Sequence, residues 1–292
     1  MFTRLACWLL VASIPGTFST VAAPLKVLII DGQNNHDWKA TTPVLRQILE
    51  DTAVFSVEVA TSPPANGDMK SFRPNFSAYR VIVSNYNGVP WSDETKRAFL
   101  EYVRGGGGFV SVHAADNAFP EWKEYNEMIG LGGWGDRNET SGPYLRLRDG
   151  VWVQDISKGR GGSHGDQHPF VLDTREPTHP IMAGLPAQWM HAKDELYDRL
   201  RGPGGPDLTV LASAFSSKET HGSGEHEPLL MCRTYGQGRV FHTALGHGLE
   251  AIRCLGFATT FQRGTEWAAT GKVTQKAPPL FPTADKVSSR TP

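Results

Sequence analysis

The chain has 292 residues, 39% of them hydrophobic and 20% charged, enough apolar material for one large core. That length favours a single elaborated domain over two independent ones. Its 29 basic and 30 acidic side chains leave a formal net charge of -1, and no Lys/Arg block is dense enough to neutralise a run of phosphates, so nucleic acid is excluded as a partner.

Residues 1–23, MFTRLACWLLVASIPGTFSTVAA, carry one early Arg, an apolar run from Leu5 to Ile14, and small residues around Val21 to Ala23. This pattern predicts a secretory signal peptide cut near Ala22 or Ala23. The run is too short to span a bilayer comfortably, and Ser13, Pro15 and Gly16 interrupt it, so a secreted or periplasmic chain without a stable membrane span after cleavage is expected. Cys7 leaves with the leader; Cys232 and Cys254 can pair only if the fold joins them.

LKVLIID (25–31) is a continuous apolar run, as in a strand buried on both faces of a parallel sheet. TTPVLRQILEDT follows with a Thr cap, an early Pro and helical spacing, then the strand VFSVEVA. YRVIVSN reads as a third strand and SDETKRAFLEYVRGGG as a helix with an acidic first turn and a glycine stop. GFVSVHA is a fourth strand, and the alternation predicts an α/β layered domain. The glycines of RGGGGF precede a strand and so lack the strand-to-helix geometry of a phosphate cradle.

From about residue 144 the texture shifts to short alternating runs separated by Gly and Pro, predicting further strands, some antiparallel. EAIRCLGFATTFQRGTEWAA reads as a final helix, and the Pro-, Ser- and Thr-rich residues 273–292 as a flexible tail beyond a domain spanning 24–272.

In an open parallel sheet, ligands bind beyond the carboxyl ends of the strands. Those ends deliver Asp31, Asn35 and His36, then Asn85 and Tyr86, then His113, then His247. Gly246 permits the sharp turn that lifts His247 off its strand, and Ala114 and Ala115 allow close approach after His113. GGSHGDQHPF contributes His164, Asp166 and His168 from a loop, since its glycines and Pro169 oppose a metal-binding helix. HAKDELYD adds Asp194, Glu195 and Tyr197, and GSGEHEP adds Glu225 and His226. Sequence-distant histidines joined by a carboxylate fit one divalent metal ion with open positions for substrate oxygens. His113 or His247 moving protons without a metal fits the same residues. Trp38, Tyr86, Trp91, Phe119, Trp122 and Trp134 lie in or near the same loops, where ring faces stack on the C–H faces of sugars. A small-molecule carbohydrate is therefore the expected partner; the pattern leaves the oligomeric state open.

The ordered series KVLIIDGQNNHDW, RGGGGFVSVHAADNAF, HPFVLDTREPTHPIMAGLP, WMHAKDELYD and YGQGRVFHTALGH resembles the trehalose-utilisation, or ThuA-like, family over residues 25–271. The resemblance implies a flavodoxin-like α/β domain related to class I glutamine amidotransferases, with a mostly parallel central sheet and additional C-terminal strands. Amidotransferases place a cysteine nucleophile at the turn where this chain has His113, so thiolate-dependent glutamine hydrolysis is excluded. The implied activity is cleavage of 3-keto-glycosides, by a hydrolase or lyase. By motif, the resemblance makes His113, Glu195 and His247 the catalytic candidates and His113, His168 and His247 the metal candidates. Asp31, Asn35, His36, Asn85 and Tyr86, delivered by the strand ends, are the substrate-binding candidates, joined by Tyr197 and His226, which the resemblance adds as second candidates. A non-catalytic carbohydrate-binding protein of the same fold is the alternative.

Overall fold

A computed structural model describes residues 23–291. All but the last residue of the expected leader lies outside these residues. The strands, in chain order, are β1 (Leu25–Asp31), β2 (Phe55–Thr61), β3 (Val81–Ser84), β4 (Gly108–Val112), β5 (Tyr144–Arg148), β6 (Val151–Asp155) and β7 (Ser163–His164). They continue with β8 (His168–Thr174), β9 (Gln188–Asp194), β10 (Tyr197–Asp198), β11 (Thr209–Ser216), β12 (Glu225–Tyr235) and β13 (Gly238–Thr243). The helices are α1 (Trp38–Glu50), α2 (Asp93–Arg104), α3 (Lys123–Ile129), α4 (Leu249–Arg253) and α5 (Leu255–Thr270). No helix among the described residues is long and apolar enough to cross a membrane.

Nine strands form one sheet in the order β2-β1-β3-β4-β13-β12-β11-β8-β9. The first five are parallel to one another and the remaining four alternate antiparallel. The parallel half has the order of a flavodoxin-like sheet, with β13 as its fifth strand. Its central strands are buried on both faces because helices cover both. Val27 and Ile29 face Leu45 and Ile48 of α1 and Phe257 and Phe261 of α5. Leu28 and Ile30 face Phe99 of α2 and Met128 of α3.

Local signals set the element ends. Ser92 caps α2 by accepting from the Thr95 N–H at 3.3 Å, with Asp93 and Glu94 in the first turn. Helix α1 starts earlier than the expected Thr cap, because the Asp37 carboxylate accepts from the Ala40 N–H at 3.1 Å. The expected final helix is divided at Cys254, whose ψ of 128° breaks the helical path into α4 and α5.

That break is where the C-terminal segment docks, and it corrects the expectation of a loose tail. Leu255 N–H donates to the Ser288 carbonyl, and Arg290 N–H to the Arg253 carbonyl, both at 2.8 Å. Met190 N–H donates to the Thr283 carbonyl at 2.7 Å, and Phe281 packs against the buried Trp189 with ring centres 5.7 Å apart. Composition suggested looseness, but four apolar residues of the segment, Val273, Ala277, Phe281 and Val287, lie on the core and reward its ordering. Deleting residues 273–292 is therefore expected to lower the thermal midpoint by several degrees and red-shift tryptophan fluorescence as Trp189 meets water. Unchanged melting and emission would contradict this packing role. Cys232 and Cys254 are separate buried thiols.

Candidate active site

Four elements meet above the carboxyl edge of the parallel half. β1 leads into Asn34, Asn35 and His36; β4 ends at His113; β13 is followed by His247; and β9 ends at Asp194, just before Glu195. β9 and β13 are four strand spacings apart in the sheet order, which in a flat sheet would be roughly 19 Å. Instead the antiparallel half curls back. Asp194 accepts backbone N–H bonds from Gly246 at 2.8 Å and His247 at 3.0 Å, as well as from Glu195 at 2.8 Å. Gly246, at φ +118°, makes the turn a side chain would resist, with Phe257 close beneath it.

The product is a cluster of His36, His113, Glu195 and His247, whose ligand-capable atoms all lie within 4.8 Å of one another. Glu195 Oε2 lies 3.5 Å from His113 Nε2 and 3.1 Å from His247 Nδ1. The rings of His113 and His247 each approach that of His36, at 4.9 and 4.5 Å between centres. Tyr197 stacks on His113 at 4.1 Å, and its hydroxyl lies 3.3 Å from His36 Nε2.

These contacts make a test for a cation. His113 Nδ1 lies 2.8 Å from the Ala244 carbonyl, which only accepts, so Nδ1 carries the hydrogen and a neutral ring turns the Nε2 lone pair to Glu195. A lone pair facing a carboxylate needs a proton or a cation between them. His113 Nε2 and His247 Nδ1 are both buried nitrogens without a well-aligned hydrogen bond. Three imidazoles and one carboxylate suit a first-row divalent ion. With donors at about 2.1 Å from such an ion, donor atoms lie about 3 to 4 Å apart, so the set is slightly open and closes with small side-chain movement. The residues fit the group.

The cluster also sets its own protonation. Burial alone would raise the Glu195 carboxyl, but the flanking His113 and His247 imidazoles outweigh it and hold Glu195 well below the usual carboxylate range. His36 is lowered to about 4 by burial and by the charges of His113 and His247. Glu195 beside it raises His247. His36 is therefore neutral, with a lone pair to offer, throughout the physiological range.

His113 sits at φ +46°, uncommon for a residue with a side chain, and two other crevice residues, Phe119 at +48° and Trp134 at +54°, share the left-handed conformation. The turn after His113 is pinned at nearly every residue. Tyr125 donates its hydroxyl to the Ala115 carbonyl at 2.7 Å, and Arg137 donates to the carbonyls of Asn117 at 3.0 Å and Ala118 at 2.8 Å. His242 of β13 holds the Asp116 carboxylate at 3.1 Å. Such over-determination is what allows backbone strain to persist at a site.

His36 and Glu195 of the cluster line an open crevice of about 700 Å³, with His113 and His247 directly behind them. Asn34, Asn35 and Asn87 offer amides along one wall, while Phe119, Pro120 and Trp134 make an apolar wall; His164 and Tyr197 close the end near Glu195.

Several expected site residues lie elsewhere. Asp31 shares the α1 side of β1 with Val27 and Ile29, by the two-residue period of a strand, and accepts from the Thr61 hydroxyl at 2.7 Å. Tyr86 is fully buried, stacked on Phe119, with its hydroxyl donating to the Val89 carbonyl at 2.5 Å; it packs the wall from behind. Asn85 is buried and donates to the hydroxyls of Thr41 and Thr42, while its amide oxygen accepts from Asn34 at 3.1 Å, so it braces the crevice loop. His226 pairs with Asp173 at 3.6 Å beside Phe215, away from the cluster. His168, expected among the metal residues, places Nδ1 2.7 Å from the Asp166 carbonyl and its ring on Phe170. His36 stands in the cluster in its stead. Asn35 and Tyr197 line the crevice.

His164, from the polar loop GGSHGDQHPF, and its neighbour Gln167 also reach Glu195. His164 Nε2 lies 3.5 Å from Glu195 Oε1, and Gln167 donates to the same oxygen at 3.3 Å. The signal was present in Gly162, which at φ +84° packs backbone to backbone on Gly133 and turns β7 into the crevice.

A family profile described as trehalose utilisation, ThuA, matches residues 26–268. Among solved structures, a ThuA-like protein from Parabacteroides merdae is 52% identical, with 91% of this chain and 98% of that one covered and a TM-score of 0.89. A ThuA-like protein from Bacteroides uniformis is 18% identical, with 90% and 97% covered and a TM-score of 0.60, a likeness of fold. No curated protein matches the sequence.

Proposed function

The chain belongs to the trehalose-utilisation (ThuA) family, and from that premise we propose that it is a sugar-active enzyme cleaving 3-keto-glycosides outside the cytoplasm. The observation that carries the reading is the convergence of His36, His113, Glu195 and His247 at the end of a crevice walled by amides and rings. The extracytoplasmic placement rests on the leader-like residues 1–23.

A keto group at C3 acidifies the proton on C2, so a base can remove it and the C1 substituent can leave by elimination, with water adding afterwards in a hydrolase. His36, His113, Glu195 and His247 would hold one divalent ion, which supplies Lewis-acid polarisation of the keto oxygen. Trp134 and Phe119 present apolar surface to the C–H face of a sugar, and Asn34, Asn35 and Asn87 reach its hydroxyls. The pinned turn at His113 keeps the imidazole aimed without reorganisation when charge develops. Glu195, ionised and flanked by imidazoles, serves to hold positive charge better than to take a proton.

Two measurements test this. Metal-replete protein is expected to retain about one divalent ion per chain by elemental analysis, and a His113→Ala, His247→Ala double variant to retain none. Incubation with 3-keto-trehalose or a 3-keto-glucoside is expected to release the alcohol. Metal-free protein after loading would sink the metal-bound form of the site; binding without turnover across a panel of 3-keto-glycosides would sink the enzymatic reading and point to a carbohydrate-binding protein.

A further inference from the structure

We propose that His164 is the catalytic residue that takes the C2 proton and returns it to the leaving oxygen, an assignment that rests on the reaction proposed above. His164 Nδ1 lies 2.7 Å from the Gly165 carbonyl. A carbonyl only accepts, so Nδ1 carries the hydrogen, and in the neutral ring Nε2 keeps its lone pair. That nitrogen is on the crevice side, 3.5 Å from Glu195 Oε1. The separation is too long for a hydrogen bond, so the Nε2 lone pair is left facing the crevice. His164 is about one-third exposed, open to a bound sugar, whereas His113 and Glu195 are almost wholly covered.

The remaining basic groups at this end are committed. His36, His113, Glu195 and His247 form the cluster, and the Tyr197 hydroxyl, raised well above its usual range by burial, stays protonated. His168 holds the Asp166 carbonyl, and His221 pairs with the Asp166 carboxylate at 2.9 Å. His164 is the imidazole of the crevice outside the cluster.

In the step, Nε2 takes the C2 proton, the C2–H electron pair forms C2=C3, and the keto π pair moves onto the oxygen. That pair then restores C3=O, C1=C2 forms, and the C1–O bond breaks with its pair on the glycosidic oxygen. The imidazolium returns the proton to that oxygen. The products are an unsaturated 3-keto sugar and the free alcohol, and His164 ends as it began.

Three proteins are compared: wild type, His164→Gln and His164→Ala. The probes are 4-nitrophenyl 3-keto-glucoside, whose leaving group needs no protonation, and 3-keto-1,5-anhydroglucitol in D2O, which has no leaving group and reports C2 proton exchange by NMR. Both variants are expected to lose 10²- to 10⁴-fold in cleavage and in exchange, with KM, bound metal and thermal midpoint near wild type. Added imidazole is expected to restore part of the activity of His164→Ala. An active wild type with equally active variants overturns the assignment alone, as does loss of bound metal in both variants, which would make His164 a ligand. A wild type inactive on both probes overturns the underlying reaction and the assignment with it.

Discussion

Glu195→Gln is expected to lower divalent-ion affinity by about 10³-fold and to cut turnover of a 3-keto-glycoside at least as far. Glu195 is the one anionic member of the cluster. A unit charge pair at about 4 Å with an effective dielectric near 20 is worth about 4 kcal/mol, equivalent to about 10³-fold in affinity. The substitution keeps shape and volume, so Trp134, Tyr197 and the crevice walls should stay in place and melting should change little. Equilibrium dialysis against the loaded ion followed by elemental analysis reads the affinity. A variant that binds the ion and turns over as wild type would remove Glu195 from the site's chemistry.

The second large effect is on the fold. Asp194 is almost fully buried and takes four hydrogen bonds, from His191 Nε2 at 2.8 Å and from the backbone N–H groups of Glu195, Gly246 and His247. Asp194→Ala would leave these donors unpaired together with a buried imidazole, at a cost of about 3–5 kcal/mol, or a fall in melting midpoint of roughly 10 °C for a domain of this size. It would also release both Glu195 and His247. The same pair predicts a pH profile. Burial would lower His191, yet Asp194 and Cys254 facing it raise it to about 9. The stability it contributes is whole below the ordinary value of 6.5 and is lost as pH climbs through about 9. Burial would raise Asp194, but His191 holds it below its ordinary value, so its contribution is present above about 4 and lost as pH falls through the lower folded value. Urea midpoints across this range should decline toward pH 9 in wild type and much less in Asp194→Ala; parallel profiles would disprove the role given to the pair.

The parallel half of the fold was legible because its signals are local. Apolar runs such as LKVLIID, capped helices and polar residues at strand ends each declare themselves within a dozen positions, and they led to His113 and His247. What the sequence concealed was long-range. No periodicity reports that the antiparallel strands curl far enough for β9 to meet the turn after β13, so HAKDELYD marks Glu195 as a polar candidate while its place beside His113 and His247 stays hidden. The choice between His164 and His168 turned on the backbone of a glycine-rich loop, where spacing carries little information. The rim collects only some strand-end residues: alternation along β1 sends Asp31 to the side of Val27 and Ile29, and Tyr86, two residues past the end of β3, turns into the aromatic cluster behind the wall. His36 was noticed as a sugar contact; its company of two other imidazoles became visible only with the turn geometry.

Because the curl of β9 over the turn after β13 assembles the crevice from both termini of the domain, whatever seats itself between His36 and His247 acts as a staple across most of the polypeptide. Occupancy and completion of folding are thereby coupled: a chain nicked or truncated between those positions loses the pocket before it loses its first strands. Protection of the region around Gly246 from proteolysis should then track saturation of the site.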